Sequence, residues 1–99
     1  MKIEKNGTEE ERVRIPKDNE VFGVVESKLG GKRFSVRCQD GFVRICRIPG
    51  RLSRDLWISV GDVVIVVPWE IQSKERGDIV WSYKKSQVEF LRRKNILKV

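Results

Sequence analysis

Arginine and aromatic side chains are the residues of this chain that are best suited to binding a ligand. The sequence has no histidine and two cysteines, whereas 21 Lys and Arg outnumber 14 Asp and Glu, so the net charge is +7. Histidine serves most acid–base catalysis near neutral pH and many zinc sites, and two cysteines alone cannot complete a tetrahedral metal site. We therefore expect no enzyme activity, no metal and no cofactor. The charge predicts a polyanionic partner, either nucleic acid or an anionic membrane surface.

Four arginines in the middle of the chain are spaced three or four residues apart, at positions 44, 47, 51 and 54. Arginine suits phosphate and base-edge recognition because its planar guanidinium forms paired hydrogen bonds. Exposed aromatic rings beside such arginines can stack on bases. We therefore predict an RNA-binding surface of six arginines and two aromatic residues, namely Arg33, Arg37, Phe42, Arg44, Arg47, Arg51, Arg54 and Trp57.

Five strand-like segments must position these residues. Runs rich in β-branched residues cover residues 21–29, 33–39, 42–48, 62–69 and 79–83, with Gly- and Pro-containing breaks between several of them. The VVIVV run of the fourth segment is typical of a strand buried on both faces or of a barrel stave. Gly23 in the first segment indicates a bend or a close backbone approach. Because closure removes exposed edges, the pattern predicts an all-β, five-stranded Greek-key barrel of the OB type, with an SH3-like barrel as the alternative.

The chain is predicted to form one domain with two appendages. We expect a flexible N-terminal tail over residues 1–19, the barrel over residues 20–85, and a C-terminal helix packed on the barrel over residues 86–99, starting at a capping box from Ser86 to Glu89. The first twelve residues lack the apolar segment of a secretory signal, and no run of about 18 apolar residues is present. We therefore expect a cytoplasmic monomer with reduced cysteines and no membrane partner.

The Asp40-Gly41 pair predicts a two-residue hairpin turn. Such a turn would place Arg37 directly opposite Arg44, where like charges cost up to roughly 1 kcal/mol. An anion held between the two guanidinium groups would relieve the repulsion, and the alternative is that both side chains extend into water. The same register would put Arg33, Phe42 and Cys46 on the outer face, and would turn a second set inward: Phe34, Val36, Cys38, Val43 and Ile45.

The three tryptophans receive separate predictions. Trp81 alternates with Ile79 and Tyr83, so we expect it in the core, and Trp69 at the end of the apolar strand is also expected to be structural. Trp57 is compatible either with closing one end of the barrel or with stacking on a base, since aromatic residues at barrel mouths do both.

The segment DGFVRICRIPGRL at residues 40–52, followed by LWI at residues 56–58, resembles the translation initiation factor 1A family. The similarity continues through GDVVIV at residues 61–66 and GDI at residues 77–79, and it covers about residues 14–97. The family's basic third strand and the loop after it correspond here to Arg44, Arg47, Arg51, Arg54 and Trp57. Asp55 departs from the basic residue common in eukaryotic members. The absence of their long acidic C-terminal tail is expected of an archaeal member or of the bacterial counterpart, initiation factor 1.

The resemblance implies an OB-fold that occupies the decoding A site of the small ribosomal subunit during initiation. It implies ribosomal RNA and other initiation factors as partners, initiator tRNA as an indirect partner, and promotion of initiator tRNA and mRNA recruitment. Three other classes remain as alternatives: a general RNA-binding OB-fold protein or RNA chaperone, a protein-interaction barrel, and an enzyme. An enzyme is disfavoured because no paired carboxylates or nucleophile–base arrangement can be assembled from the sequence.

Overall fold

A computed structural model of the 99-residue chain describes residues 13–99. In chain order the elements are β1 (Val21–Gly30), β2 (Arg33–Cys38), β3 (Val43–Arg47), a short 3-10 helix (Gly50–Leu52), β4 (Val63–Pro68), β5 (Arg76–Ser82) and α1 (Lys85–Arg93). The strands close into one barrel in the order β1-β2-β3-β5-β4. The β3–β5 pair is parallel and the other pairs are antiparallel. The predicted five-stranded barrel with a short C-terminal helix is confirmed.

Strand β4 is buried on both faces, as its VVIVV run predicts. Val64 and Val66 point into the barrel interior, where they belong to a cluster that includes Val36 and Ile79. Val63 and Ile65 point outward and belong to a second cluster, which includes Phe22, Tyr83, Leu91 and Leu97. Helix α1 therefore covers the outer side of β4, and the outer side of β2 and β3 stays open to solvent.

Gly23 lies where β1 pairs with two neighbours at once. It faces Cys38 of β2 and Val64 of β4 in the two ladders. A Cβ atom at this position would come within 2.5 Å of the Val36 Cγ1 atom. The predicted close approach is confirmed, and it explains why a strand interior holds a residue that weakens strands elsewhere.

The predicted register of the β2–β3 hairpin is wrong by one residue. Arg37 faces Val43, and Arg44 faces Val36. The connection is a three-residue loop, because the Cys38 backbone N–H donates to the Phe42 carbonyl at 2.9 Å, and the Gly41 N–H donates to the Cys38 carbonyl at 3.0 Å. A two-residue type I′ turn needs positive φ at both central positions, but Gly41 has φ +98° and Asp40 is not among the residues with positive φ.

A one-residue shift turns every side chain of β3 to the opposite face. Arg44 and Cys46, predicted to lie outside, are buried, whereas Val43 and Ile45, predicted to lie in the core, belong to the outer face. Both cysteines are free and buried. The predicted outward position of Cys46 is therefore wrong.

The chain around α1 differs in detail from the prediction. The helix begins at Lys85, and the backbone N–H of Lys84 donates to the Gln87 Oε1 atom at 2.9 Å, so the predicted capping box from Ser86 to Glu89 is wrong. After α1 the chain turns back at Asn95, which has φ 62°, and buries Leu97. No helix among residues 13–99 is long and apolar enough to cross a bilayer.

Part of the predicted N-terminal tail lies against the barrel. Val13 packs on the second cluster, the Tyr83 hydroxyl donates a hydrogen bond to the Arg14 carbonyl, and an Arg14 Nη2 atom lies 3.1 Å from Glu20 Oε2. The prediction for residues 1–12 lies outside the described residues.

Candidate nucleic-acid interface

The open outer face of β2 and β3 is basic. The observed register places Arg33 and Arg37 of β2 beside Val43, Ile45 and Arg47 of β3. Arg33 stands directly opposite Arg47, so the like-charge pair predicted for Arg37 and Arg44 occurs elsewhere on the same strand pair. Like charges that face each other across two strands repel, so the Arg33–Arg47 pair lowers the stability of the fold at this point.

Arg47 is held on this face by two contacts that leave its side chain mostly exposed. Its guanidinium lies 4.9 Å from the centre of the Trp69 ring, and its Nε atom lies 3.6 Å from the Asp78 Oδ1 atom. The Trp69 Nε1–H donates to the same Asp78 oxygen at 3.0 Å, which fixes the ring. Trp69 is thus half-buried and hydrogen-bonded, and it orients a surface cation.

Arg37 and Arg33 differ in their neighbours. The Arg37 Nε atom lies 3.0 Å from Glu26 Oε2 in an exposed ion pair across the β1–β2 ladder. Arg33 forms no ion pair within residues 13–99. Among the cations of the two strands, Arg33 therefore has the least internal competition for an anionic ligand.

Arg44 does not belong to this face. Its side chain is 3% exposed, and no other charged side chain in the described part of the chain is buried as deeply. Its Nη1 and Nη2 atoms donate to the two carboxylate oxygens of Asp40 at 2.9 and 2.8 Å, and its Nε donates to the Ser73 carbonyl at 2.6 Å. The hydrogen bonds between the two side chains lower the pKa of Asp40 and, against the effect of burial, raise the pKa of Arg44. The predicted outward orientation of Arg44 is wrong because its charge is neutralised inside the protein.

Phe42 lies at the edge of the face, at the tip of the hairpin, and is exposed as predicted. Its ring centre is 5.4 Å from the Arg44 guanidinium and 5.5 Å from the Lys74 ammonium. Lys74 belongs to the β4–β5 loop, so the structure adds to the edge of this face a cation that is not among the eight predicted site residues. Only the barrel closure brings it here, and no local sequence signal points to it.

Trp57 is 85% exposed and does not close the barrel, whereas its neighbour Ile58 is buried in the interior cluster. Beside Trp57 lies an open pocket of about 220 Å³ lined by Lys28, Lys32, Phe34, Ile48, Ser53, Leu56, Trp57 and Ile58. The lining combines apolar side chains with the exposed tryptophan ring and two lysine side chains. Both lysines lie on β1 and the β1–β2 turn, far from Trp57 along the chain, so no local sequence pattern connects them with it.

Arg51 and Arg54 extend the basic surface next to Trp57. Arg51 lies in the 3-10 helix and Arg54 just after it, and both are exposed. Neither forms an ion pair with another described residue. The structure therefore brings seven of the eight predicted site residues to the surface and withdraws Arg44.

The predicted core position of Trp81 is wrong. The β4–β5 ladder has a register shift in which Ile65 faces Trp81 and Val66 faces Ile79, so Val80 has no partner in this ladder. Such an irregularity interrupts the alternation of side chains on which the prediction depended. Trp81 is exposed, and its ring centre lies 5.6 Å from the Arg14 guanidinium.

The chemistry that this arrangement supports is recognition of an anion. Within residues 13–99 no three His, Cys, Asp or Glu side chains converge to hold a metal ion. Burial raises the pKa of the Cys38 thiol, and burial raises the pKa of Cys46 to about 12. Both thiols therefore stay protonated at neutral pH. The exposed groups are guanidinium, ammonium and aromatic side chains, which suit phosphates and bases.

The strand order β1-β2-β3-β5-β4 in a closed barrel defines the OB-fold, a class whose strand 2–3 face commonly binds oligonucleotides. A sequence model of translation initiation factor 1A / IF-1 matches residues 10–99, and the chain belongs to that family.

Individual relatives agree with this assignment. The chain is 56% identical over 88 residues to translation initiation factor 1A of Pyrococcus abyssi, covering 89% of this chain and 78% of that protein. It is 56% identical over 89 residues to the Archaeoglobus fulgidus protein of the same name, covering 88% and 91%. The solution structure of the bacterial translation initiation factor IF-1 from the Wolbachia endosymbiont of Brugia malayi superposes with a TM-score of 0.52 at 28% identity, covering 70% of this chain and 82% of that one.

Proposed function

We propose that this protein binds small-ribosomal-subunit RNA at the decoding A site, as a cytoplasmic monomer, and thereby promotes initiator tRNA and mRNA recruitment together with other initiation factors. The observation that carries the proposal is the opposed pair of Arg33 and Arg47 on an open sheet face. Family membership supports the choice of ribosomal RNA over a membrane surface. The proposed action is binding, with no catalytic step.

A phosphate between Arg33 and Arg47 would convert a repulsive pair into a favourable three-charge arrangement. Arginine is suited to this role because its fork can donate two parallel hydrogen bonds to one phosphate. Arg37, Arg51 and Arg54 lie on the same strand pair or in the segment that follows it. We propose that these cations track the phosphates of folded RNA.

The Trp57 pocket is proposed to hold an unstacked base. Base–aromatic stacking contributes about 1–3 kcal/mol per base. Lys28 and Lys32, which also line the pocket, would supply cations for the neighbouring phosphates. Trp57 contributes little to the stability of the protein, because most of its side chain is exposed to water.

The direct test is chemical footprinting of small-subunit RNA with and without the protein. We expect protection to concentrate at the decoding A site. If about five phosphates are neutralised, log affinity should fall with log salt at a slope of about −3.5. The proposal would be contradicted by protection at other sites or by an affinity that does not change with salt. Equal affinity for unrelated single strands would also contradict it, and would indicate a general RNA-binding protein or RNA chaperone.

Trp57→Ala provides a residue-level test. The ring is exposed, so the free energy of unfolding should change by less than about 0.5 kcal/mol. Affinity for small subunits should fall by about tenfold or more, because a stacking contact is lost. Trp81→Ala is the matched control, since Trp81 is an exposed tryptophan that lies on the β4–β5 side of the barrel. Equal loss of affinity in both variants would contradict the role of Trp57.

A further inference from the structure

We infer that Arg44 is a positioning residue that holds the hairpin tip and the β4–β5 loop in the arrangement that RNA binding requires. The inference rests on the proposed function and deepens it. It assigns to an internal arginine the ordering of surface groups that belong to two separate segments of the chain.

Arg44 lies between the β2–β3 hairpin loop and the β4–β5 loop. Its guanidinium donates hydrogen bonds to both carboxylate oxygens of Asp40 in the hairpin loop. It also donates to the Ser73 carbonyl in the β4–β5 loop. Paired hydrogen bonds between an arginine and a carboxylate are directional as well as strong. One side chain thus restrains two loops that are far apart in sequence.

This restraint extends to the exposed groups nearby. The Phe42 backbone N–H donates to Asp40 Oδ1 at 3.4 Å, and the Phe42 ring lies beside both the Arg44 guanidinium and the Lys74 ammonium. The Asp40–Arg44 pair therefore fixes the backbone of Phe42, and the bond to Ser73 fixes the loop that carries Lys74. Loss of the pair would leave an aromatic and a cationic contact free to sample other positions.

This role differs from simple stabilisation. A loop ordered in only a fraction of molecules lowers the apparent affinity in proportion to that fraction. If about one molecule in ten keeps the arrangement, affinity falls about tenfold although every surface cation is still present. A purely structural arginine would instead affect affinity only when the protein unfolds.

Asp40→Asn tests the inference because electrostatics and positioning predict opposite results. Removing a negative charge beside an RNA-binding face should strengthen binding if charge alone matters. If Arg44 positions the loops through Asp40, affinity for small subunits should fall by about tenfold. Glu75→Gln is the charge-matched control, since it removes a carboxylate from the same loop region and should leave affinity equal or higher.

Arg44→Lys and a stability control complete the experiment. Arg44→Lys keeps the charge and loses the fork, so we expect faster amide hydrogen exchange at Phe42 and residues 72–75, weaker binding and an unchanged salt slope. Val63→Ala destabilises the cluster beneath α1 and should leave both loops and the affinity unchanged at temperatures where the protein is folded. If wild type fails to bind subunits, the proposed function is wrong. If wild type binds while Asp40→Asn and Arg44→Lys bind equally well, or exchange at the two loops is unaltered, the positioning role is wrong.

Discussion

The exposed ion pair between Arg37 and Glu26 allows the face assignment to be tested with two matched variants. The Arg37 Nε atom lies 3.0 Å from Glu26 Oε2, and the two side chains are 47% and 43% exposed. Arg37→Gln and Glu26→Gln both break this pair. Each should lower the free energy of unfolding by about 0.2–1 kcal/mol, the range measured for exposed pairs. For a domain of this size, that corresponds to a fall in Tm of at most about 8 °C.

The two variants should have opposite effects on RNA binding. Arg37→Gln removes a cation from the β2–β3 face, so small-subunit affinity should fall and the salt slope should become shallower by about 0.7. Glu26→Gln removes a competing carboxylate and leaves Arg37 free, so affinity should stay equal or rise. Thermal unfolding and salt-dependent binding of both variants and of the double variant supply the measurements.

The sign of the stability change also tests the register. If Arg37 faced Arg44, as a two-residue hairpin turn would require, Arg37→Gln would relieve repulsion and raise the free energy of unfolding. The observed register predicts a decrease. A more stable Arg37→Gln variant would refute the register, and equal losses of affinity in Arg37→Gln and Glu26→Gln would refute the role of Arg37 in RNA binding.

Three further predictions concern the packing of Gly23, the ionisation of Asp40 and the reactivity of the two cysteines. Gly23→Ala should lower the free energy of unfolding by about 1–3 kcal/mol, because the new Cβ would come within 2.5 Å of Val36 Cγ1. In the control Gly50→Ala the new Cβ meets no atom within 4 Å, so chemical denaturation should show almost no change. Equal effects of the two substitutions would mean that the crowding at Gly23 is absent. The hydrogen bonds from Arg44 lower the pKa of Asp40 in the folded protein. The stability that the ionised Asp40 carboxylate contributes is therefore fully present above its unfolded-state pKa of about 3.9, and it is lost as the pH falls through the folded-state pKa. Acid titration of the unfolding free energy should thus show a shallower decline for Asp40→Asn than for wild type, and parallel curves would contradict this coupling. Finally, Cys38 and Cys46 should react with a thiol reagent at pH 8 only as fast as the protein opens. Burial raises the pKa of both thiols and shields the sulfur atoms from the reagent. Rapid labelling of the native protein would contradict this, because it would show that one thiol is accessible.

Local sequence patterns are sufficient to predict the barrel and most of its surface charge. Short β-branched runs separated by turn residues predicted five strands, the VVIVV run predicted a strand buried on both faces, and Gly23 predicted close packing. Side-chain alternation and residue type are local properties, so they can be read without knowledge of the fold. The outward positions of Arg33 and Arg37 follow from the same alternation along β2.

The face of β3 that is exposed to water depends on contacts that form when the barrel closes. The Asp40-Gly41 pair is compatible with a two-residue turn or a three-residue loop, and the two differ by one residue in register. The three-residue loop buries Arg44, which is acceptable only because Asp40 and the Ser73 carbonyl neutralise and bind its guanidinium. Ser73 is 29 residues away along the chain. A buried charge is stable only with its partners in place, so the register depends on a contact that exists after the barrel closes.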